Sequence, residues 1–240
     1  MPEVFLSANW QKIIMANYEL RPQVLGPYLP AHVELDDFEG KYLVSLVGFL
    51  FTQTKLFGVP VPFFGTFEEV NLRFYVRRKV DGVWRRGVVF INESVPYRPV
   101  AWLANVLYKE HYIALDTEHQ WMLYADKQHI KYTWAKQRQY MHLKVDASMQ
   151  RAPMAAGSAE HFIYEHYYGY TKVAPGETWE YRVNHPSWET YPVQSYDIDC
   201  DFRLMYGEDF AVLNHSKPHS LFLAEGSPVT VGWKRKKLKF

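Results

Sequence analysis

The stretch FEEVNLRFYVRR, residues 67–78, carries three side chains with catalytic or binding chemistry at alternate positions. Because successive side chains of a β-strand point to opposite faces, Glu69, Asn71 and Arg73 share one face of a predicted strand. A carboxylate can transfer protons, and a guanidinium can hold an anion through paired N–H donors. Two interpretations remain open: this face lines a ligand cavity, or Glu69 and Arg73 form a structural ion pair in a polar layer.

A second candidate is His166, in the aromatic stretch 161–170, which is predicted to be a strand. Adjacent strand residues face opposite ways, so Glu165 and His166 cannot both look into one cavity. His166 would share its face with aromatic side chains such as Tyr168. It is therefore either a ligand-binding residue or a half-buried histidine that is bonded to a neighbouring tyrosine.

Metal and cofactor sites are not indicated. Neither His-x-His nor His-Glu-x-x-His spacing occurs among the ten histidines, and the sequence has no glycine-rich phosphate loop. The single cysteine, Cys200, excludes an internal disulfide, and Asp197, Asp199 and Asp201 around it disfavour a thiolate. The sequence thus predicts no metal, no cofactor and no cysteine nucleophile.

The elements that must position these groups are mostly strands. A long strand is predicted over residues 42–51, where Gly48 marks a bulge or a close backbone approach, and Asp81-Gly82 predicts a hairpin turn. Many strands with few short helices predict a single β-rich α+β domain over residues 1–240. The remaining predicted elements include helices in 21–30 and 99–108, a strand meander at 121–125, 130–135 and 140–145, strands at 178–183 and 190–198, a helical turn at 202–206, and two closing strands at 220–224 and 229–233.

Composition argues against several classes of partner. Lys and Arg total 27 against 26 Asp and Glu, so no broad field would attract nucleic acid or an anionic membrane. The basic residues 234–239 are interpreted as the solvated end of a last strand. Because no targeting signal and no run of about 18 apolar residues occurs, a cytoplasmic protein is predicted. Aromatic residues make up 17%, which suits a cavity and the interfaces of a homo-oligomer.

Four segments resemble the bacterial YqjF-like family of unknown function. They are LRPQVLGPYLPAHVELD (20–36), FEEVNLRFYVRR (67–78) with RRGVVFI (85–91), FIYEHYYGY (162–170) and FLAEGS (222–227). That family is identified as a member of the acetoacetate decarboxylase-like superfamily. The resemblance implies a predominantly β, α+β fold with a curved sheet or barrel, a central small-molecule cavity and a few short helices.

The resemblance also implies where a site would lie. The decarboxylases carry a Tyr-x-Glu-Val motif, which FEEV at 67–70 resembles, so Glu69 corresponds to the cavity carboxylate. They also carry Pro-Lys-Lys, whose first lysine forms a Schiff base, and the corresponding residues here are Pro96, Tyr97 and Arg98. Because neither a phenol nor a permanently protonated guanidinium can form an imine, Schiff-base decarboxylation is expected to be absent.

Together these observations predict a protein that binds a small anionic or keto-bearing metabolite without a cofactor. The candidate acid or base is Glu69, and the candidate ligand-binding residues are Asn71, Arg73, Tyr97, Arg98 and His166. Two alternatives stay open: a non-catalytic homo-oligomeric interaction protein, and a decarboxylase that uses a displaced lysine such as Lys109.

Overall fold

The computed structural model describes residues 4–239, which form seventeen strands and a few short helices. The strands are β1 (Val4–Glu19), β2 (Glu34–Leu35), β3 (Leu43–Leu56), β4 (Val59–Pro60), β5 (Phe67–Val80), β6 (Val83–Val95), β7 (Tyr112–Ala114), β8 (Asp116–Leu123), β9 (Lys127–Lys136), β10 (Gln139–Ser148), β11 (Ala152–Pro153), β12 (Tyr168–Ala174), β13 (Glu177–Asn184), β14 (Glu189–Tyr191), β15 (Val193–Asp199), β16 (Ser220–Gly232) and β17 (Lys236–Leu238). The helices are α1 (Pro22–Leu25), α2 (Arg98–Tyr108), α3 (Ala159–Tyr164) and α4 (Phe202–Tyr206), with 3-10 turns at Gly26–Tyr28 and Glu208–His215. Within these residues, no helix has the length and apolar character that a membrane crossing requires.

Seven strands close into a ring in the order β16, β1, β3, β5, β6, β12, β13. The ring closes because β13 pairs back with β16, where Val183 lies opposite Val231 and Asn184 opposite Thr230. Neighbours in the ring are antiparallel except β6 and β12, which run parallel. The ring therefore has an inner face and an outer face, and alternate side chains of each strand point to one or the other.

A second sheet, in the order β15, β10, β9, β8, covers part of the outer face. Leu46 and Leu72 from the ring and Tyr132 and Leu143 from the second sheet belong to one buried apolar cluster. Gly48 of β3 allows the close approach, since a Cβ atom there would lie 3.0 Å from Cδ2 of Tyr132. The predicted close backbone approach at Gly48 is confirmed.

The alternating strand β5 divides its side chains between these two environments. Glu68, on the outer face, reaches the second sheet and contacts Nδ1 of His119 at 2.5 Å. The opposite parity, which includes Glu69, Asn71 and Arg73, is buried towards the interior of the ring. Asn71 pairs with Val47 of β3 in the ladder. The polar face of the FEEVNLRFYVRR stretch thus looks inward.

Most predicted elements are present. The Asp81-Gly82 turn joins β5 to β6, with φ of 49° and 82° at the two turn residues. The helix predicted over 99–108 is α2, and the predicted meander is β8, β9 and β10. The helical turn is α4, which ends at Gly207 with a φ of 102°. The basic C-terminal segment contains β17, as expected for a charged last strand.

The strand predicted over 161–170 is wrong in its first half. Ser158 caps helix α3, because its hydroxyl accepts a hydrogen bond from the His161 amide at 3.2 Å. Strand β12 begins only at Tyr168. Aromatic residues suit a helix against a core as well as a strand, so composition alone favoured the wrong element here.

The two closing strands predicted around Gly226 are one continuous strand, β16. Gly226 pairs with Gln11 of β1, and its φ of 87° bends the strand without breaking the ladder. A Cβ atom at this position would lie 2.2 Å from the Trp10 carbonyl oxygen. The glycine is therefore needed for close packing inside the sheet, and the predicted turn is wrong.

Candidate functional site

The ring encloses a cavity of about 320 Å³, a size that suits a small-molecule ligand. Most of its lining is aromatic or aliphatic and comes from β1, β3, β5, β6, α2 and the segment between α3 and β14. Its charged and strongly polar groups include Glu69, Arg73, Glu93, Glu110, Tyr112, Tyr181 and the imidazoles of His166 and His185. The cavity is thus apolar over most of its surface and acid-rich in one part.

Glu69 from β5 is buried, with 3% of its surface exposed. Its Oε1 accepts a hydrogen bond from Nδ2 of Asn71 at 2.9 Å, and its Oε2 accepts one from the Tyr112 hydroxyl at 3.1 Å. Burial raises the pKa of Glu69 to about 7, although these hydrogen bonds and the charge of Arg73 act in the opposite direction. Glu69 therefore exchanges a proton near neutral pH.

Glu93 from β6 is a second buried carboxyl in the cavity, and sequence reasoning missed it. It lies opposite Asn71 in the β5–β6 ladder. Among the described residues, its Oε2 has no hydrogen-bond partner. Burial raises the pKa of Glu93 well above the usual range, and the charges of Glu110 and Glu69 add to the effect. Burial therefore favours the neutral, protonated form of Glu93.

Glu110 is the third carboxyl, and it too was missed. It follows Lys109, which ends α2 in the left-handed conformation with a φ of 59°. Its Oε1 accepts hydrogen bonds from the Tyr181 hydroxyl at 2.8 Å and from the Thr171 hydroxyl. Burial raises the pKa of Glu110 to about 7. Within residues 4–239, no His, Cys, Asp and Glu cluster has an arrangement that could hold a metal ion.

Asn105 fixes the segment that carries Glu110 and Tyr112. Its side chain accepts a hydrogen bond from the Tyr112 amide at 2.7 Å and donates one to the Tyr112 carbonyl at 2.9 Å. Because Asn105 belongs to α2, the segment is held against that helix. The phenol of Tyr112 consequently stays within reach of Glu69.

Arg73 is the cation of the cavity wall, with 8% of its surface exposed. Its Nη2 lies 3.6 Å from the Met15 sulfur, and its Nε has no hydrogen-bond partner in the described part of the chain. No carboxylate of residues 4–239 forms an ion pair with it. The structural ion pair between Glu69 and Arg73, one of the two interpretations of this strand face, is therefore not formed.

The other residues from the sequence prediction lie in different places. Asn71 positions Glu69 and borders a smaller void of about 20 Å³ beside the main cavity. Tyr97 precedes α2 and packs edge-on against the ring of Phe64 at a centroid distance of 4.8 Å. Arg98 is exposed, because α2 begins there and turns the side chain outward. Neither Tyr97 nor Arg98 lines the cavity, so both are removed from the candidate site.

His166 lines the cavity, but both of its ring nitrogens are already engaged. Nδ1 donates to the Phe162 carbonyl at 2.8 Å, and Nε2 contacts Oδ2 of Asp36 at 3.2 Å. Asp36 also binds Arg77 at 3.3 Å and Arg86 at 3.1 Å. His166 is thus tied to a buried charged cluster, where Asp36 replaces the tyrosine partner expected from the sequence.

The lysines lie away from the cavity. None of the described residues that line it is a lysine. Lys109 is exposed at the end of α2. Lys12 is buried, but its Nζ binds Glu225 at 2.6 Å and the Tyr191 hydroxyl at 2.9 Å. The cavity therefore contains acids, phenols, two imidazoles and one guanidinium, without an amine from the described part of the protein.

The fold is similar to several solved structures. An acetoacetate decarboxylase-like enzyme from Sphingomonas wittichii RW1 has a TM-score of 0.67 at 11% identity, covering 99% of this chain and 94% of that one. Acetoacetate decarboxylase from Legionella pneumophila has a TM-score of 0.64 at 12% identity, covering 99% and 88%. The enduracididine biosynthesis enzyme MppR complexed with pyruvate has a TM-score of 0.65 at 11% identity, covering 99% and 91%. At these identities the similarity establishes the fold, and the predicted acetoacetate decarboxylase-like architecture is confirmed.

Sequence similarity gives the family. Over 91 residues, the chain is 28% identical to "Uncharacterized protein YqjF" of Bacillus subtilis (strain 168), a match that spans 38% of this chain and 36% of that protein. Little more than a third of the relative's length is therefore matched. The family DUF2071, described as "Uncharacterized conserved protein", matches residues 7–228. The predicted resemblance to YqjF-like proteins is confirmed, and the chain belongs to the DUF2071 family.

Proposed function

We propose that this protein binds a small oxo acid, with both a carbonyl and a carboxylate, in the cavity of the ring. The observation that carries the proposal is the buried guanidinium of Arg73, which faces the cavity without an ion-pair partner among the described residues. A buried charge without a partner is costly, so an anionic ligand group that pairs with it binds favourably. Arg73 would hold a carboxylate through two parallel N–H donors.

The remainder of the lining supports an apolar ligand body. Phe51, Phe67, Phe90 and Trp188 contribute aromatic surface to the cavity. Such surface favours a ligand whose polar end is small relative to its apolar part. A related fold, that of MppR, is described in complex with pyruvate, which is a small oxo acid. Pyruvate has a carbonyl next to a carboxylate, which is the polar end that we propose for the ligand here.

We propose non-covalent binding, because the described lining offers no amine for a Schiff base. A displaced lysine would have to enter the cavity to restore one, and Lys109 is exposed at the end of α2. Borohydride reduction in the presence of an oxo acid is therefore expected to leave the protein mass unchanged. A stable mass increase would instead support the decarboxylase alternative.

The test uses three matched probes that differ only in their polar end. They are 2-oxo-4-phenylbutanoate, 4-phenylbutan-2-one without the carboxylate, and 4-phenylbutanoate without the ketone. The oxo acid is expected to bind most tightly by calorimetric titration. Arg73→Met should weaken its binding about tenfold or more, since a charged hydrogen bond is lost.

Arg98→Met is the matched control for this titration, because it removes an exposed arginine outside the cavity. It should leave the affinity unchanged. Equal affinity of wild type and Arg73→Met, or failure of the wild type to bind any of the three probes, would contradict the proposed function.

We also propose that the protein is a homo-oligomer, for which exposed apolar side chains give support. Phe63 is 93% exposed, Val59 66% and Trp102 65%, on segments next to residues that line the cavity. Light scattering should show an oligomer that dissociates in the double variant Phe63→Ser/Trp102→Ser. Tyr140→Ser, an exposed aromatic site on the second sheet, is the control. A monomeric wild type at all concentrations would rule the oligomer out.

A further inference from the structure

We infer that Glu93 and Glu69 form an acid–base pair that enolises a carbonyl compound bound in the cavity. Glu93 is the acid that protonates the carbonyl oxygen, and Glu69 is the base that removes a proton from the neighbouring carbon. This inference rests on the proposed binding of an oxo acid, to which it adds a reaction.

The two carboxyls face one cavity from adjacent strands. Glu93 on β6 lies opposite Asn71 on β5, which makes Glu69 its diagonal neighbour. Diagonal positions of an antiparallel pair lie roughly 7–8 Å apart, and the side chains can converge further. That spacing accommodates the two atoms of a carbonyl group and the adjacent carbon between two carboxyls.

Hydrogen bonding separates the roles of the two groups. Both oxygens of Glu69 accept hydrogen bonds, from Asn71 and Tyr112, which suits an ionised carboxylate that is held in place. The Oε2 of Glu93 is buried and has no partner in the described part of the chain. Tyr112 also hydrogen-bonds to the Glu93 carboxyl, but Oε2 keeps the capacity to donate a proton to a ligand in the cavity. The ligand atom that fits is an acceptor such as a carbonyl oxygen.

The protonation states agree with these roles. Burial raises the pKa of both carboxyls, that of Glu93 well above that of an ordinary glutamate and that of Glu69 to about 7. A base with a pKa near the working pH is the most effective in proton transfer. The other titratable or charged groups that line the cavity are Arg73, Tyr108, Glu110, Tyr112, Tyr164, His166, Tyr168, Tyr181 and His185, and burial lowers the pKa of His185 to about 4.

The step is balanced without a further reactant. A C–H bond next to the carbonyl breaks, and its proton goes to the Glu69 carboxylate. The electron pair of that bond forms the C=C double bond, while the carbonyl oxygen takes the proton of Glu93. The product is an enol, Glu69 is neutral and Glu93 is charged, so the total charge is unchanged. Glu69 then exchanges this proton with water. When the step runs in reverse, Glu69 returns a proton from water to the carbon, so the hydrogen on that carbon has been replaced.

The experiment follows hydrogen exchange on a bound probe. With 2-oxo-4-phenylbutanoate in D2O, the loss of the proton NMR signal at carbon 3 should be faster with the wild type than in buffer alone. Glu69→Gln and Glu93→Gln should each reduce this rate about 100-fold or to the buffer rate, as for the loss of a general acid or base. Glu68→Gln on the outer face of the same strand is the control and should exchange at the wild-type rate.

Binding is titrated in the same samples, which separates the two proposals. If the probe binds but carbon 3 does not exchange above the buffer rate, the inference is overturned and the proposed function stands. If no probe binds, the proposed function fails, and the inference, which rests on that binding, fails with it. The acid role is tested separately in a protein with carbon-13-labelled glutamate, where the Glu93 side chain, assigned by the signal that Glu93→Gln lacks, should stay protonated above the ordinary glutamate range. A signal that ionises in the ordinary glutamate range would overturn the acid role.

Discussion

The hydroxyl of Tyr112 lies 3.1 Å from Oε2 of Glu69, although the two residues belong to strands that do not pair with each other. Strand β7 pairs with β6 on the side away from β5, and Tyr112 is in register with Glu93. One phenol therefore lies between the two carboxyls, and, against the larger effect of burial, its hydrogen bonds lower the pKa of both Glu69 and Glu93. Because they share this partner, Glu69 and Glu93 should titrate as a coupled pair.

Tyr112→Phe removes the hydroxyl that stabilises the Glu69 carboxylate. The pKa of Glu69 should rise further above 7, because a hydrogen bond to the ionised form is lost while the burial remains. Carbon-13 NMR of labelled glutamate, with Glu69→Gln to assign the signal, measures the change. An unchanged or lower pKa would show that Tyr112 does not act on this carboxyl.

The protonation of Glu69 should make the free energy of unfolding fall as the pH rises. Its pKa is raised from 4.5 to about 7 by burial, so between these values the unfolded chain loses the proton and the folded protein keeps it. By linkage the free energy of unfolding then decreases with pH, by about 3 kcal/mol in total for this shift. Chemical denaturation of wild type and Glu69→Gln across this range isolates the effect, and Glu118→Gln on an exposed position is the control.

Anion binding should be tighter below pH 7 than above it. A carboxylate ligand next to Glu69 and Glu110 favours their protonated forms, whose pKa values are both about 7. Binding of 2-oxo-4-phenylbutanoate should therefore take up protons near neutral pH. Calorimetry in two buffers with different ionisation enthalpies measures the uptake. Affinity that is independent of pH between 6 and 8 would speak against a ligand carboxylate at this position.

Gly169→Ala should destabilise the protein, because the added methyl group would clash with Tyr181 beside the cavity. A Cβ atom at Gly169 would lie 2.1 Å from Cζ of Tyr181, whose hydroxyl binds Glu110. Overpacking of this kind costs about 1–3 kcal/mol, or about 2–4 °C in melting temperature for each kcal/mol. Gly65→Ala is the control, since its nearest neighbouring atom would be 3.5 Å away. Equal melting temperatures for the two variants would contradict the close approach.

The sequence predicted that Glu69, Asn71 and Arg73 share one face of β5, but not that this face points into the ring. Strict alternation from Phe67 to Val76 settles which side chains share a face, because the period of a strand is two. Whether that face meets solvent or a cavity depends on the strands that pair with it, and those pairings are not local. The resemblance to a cavity-forming family left the cavity wall and the structural ion pair both open.

Glu93 was missed because a register shift in the β5–β6 ladder moves it to the inner face. Counting back from the turn, where Val80 pairs with Val83, an unbroken hairpin would place Asn92 opposite Asn71. The register shifts between Leu72 and Arg73, so Glu93 takes that place. A one-residue bulge reverses which side chains of the strand face inward. The local composition of β6 does not predict this bulge.

Two short strand pairings close the ring, one at each edge of the hairpin that β12 and β13 form. On one side Tyr168 and Gly169 pair with β6, and on the other Val183 and Asn184 pair with β16. Tyr168 and Val183 also line the cavity. Few backbone hydrogen bonds hold this hairpin at its two edges, although Glu180 of β13 also binds Arg78 of β5 and Arg85 of β6. Its edge amides should therefore exchange with solvent before those of β1, which pairs with β3 and β16 along most of its length.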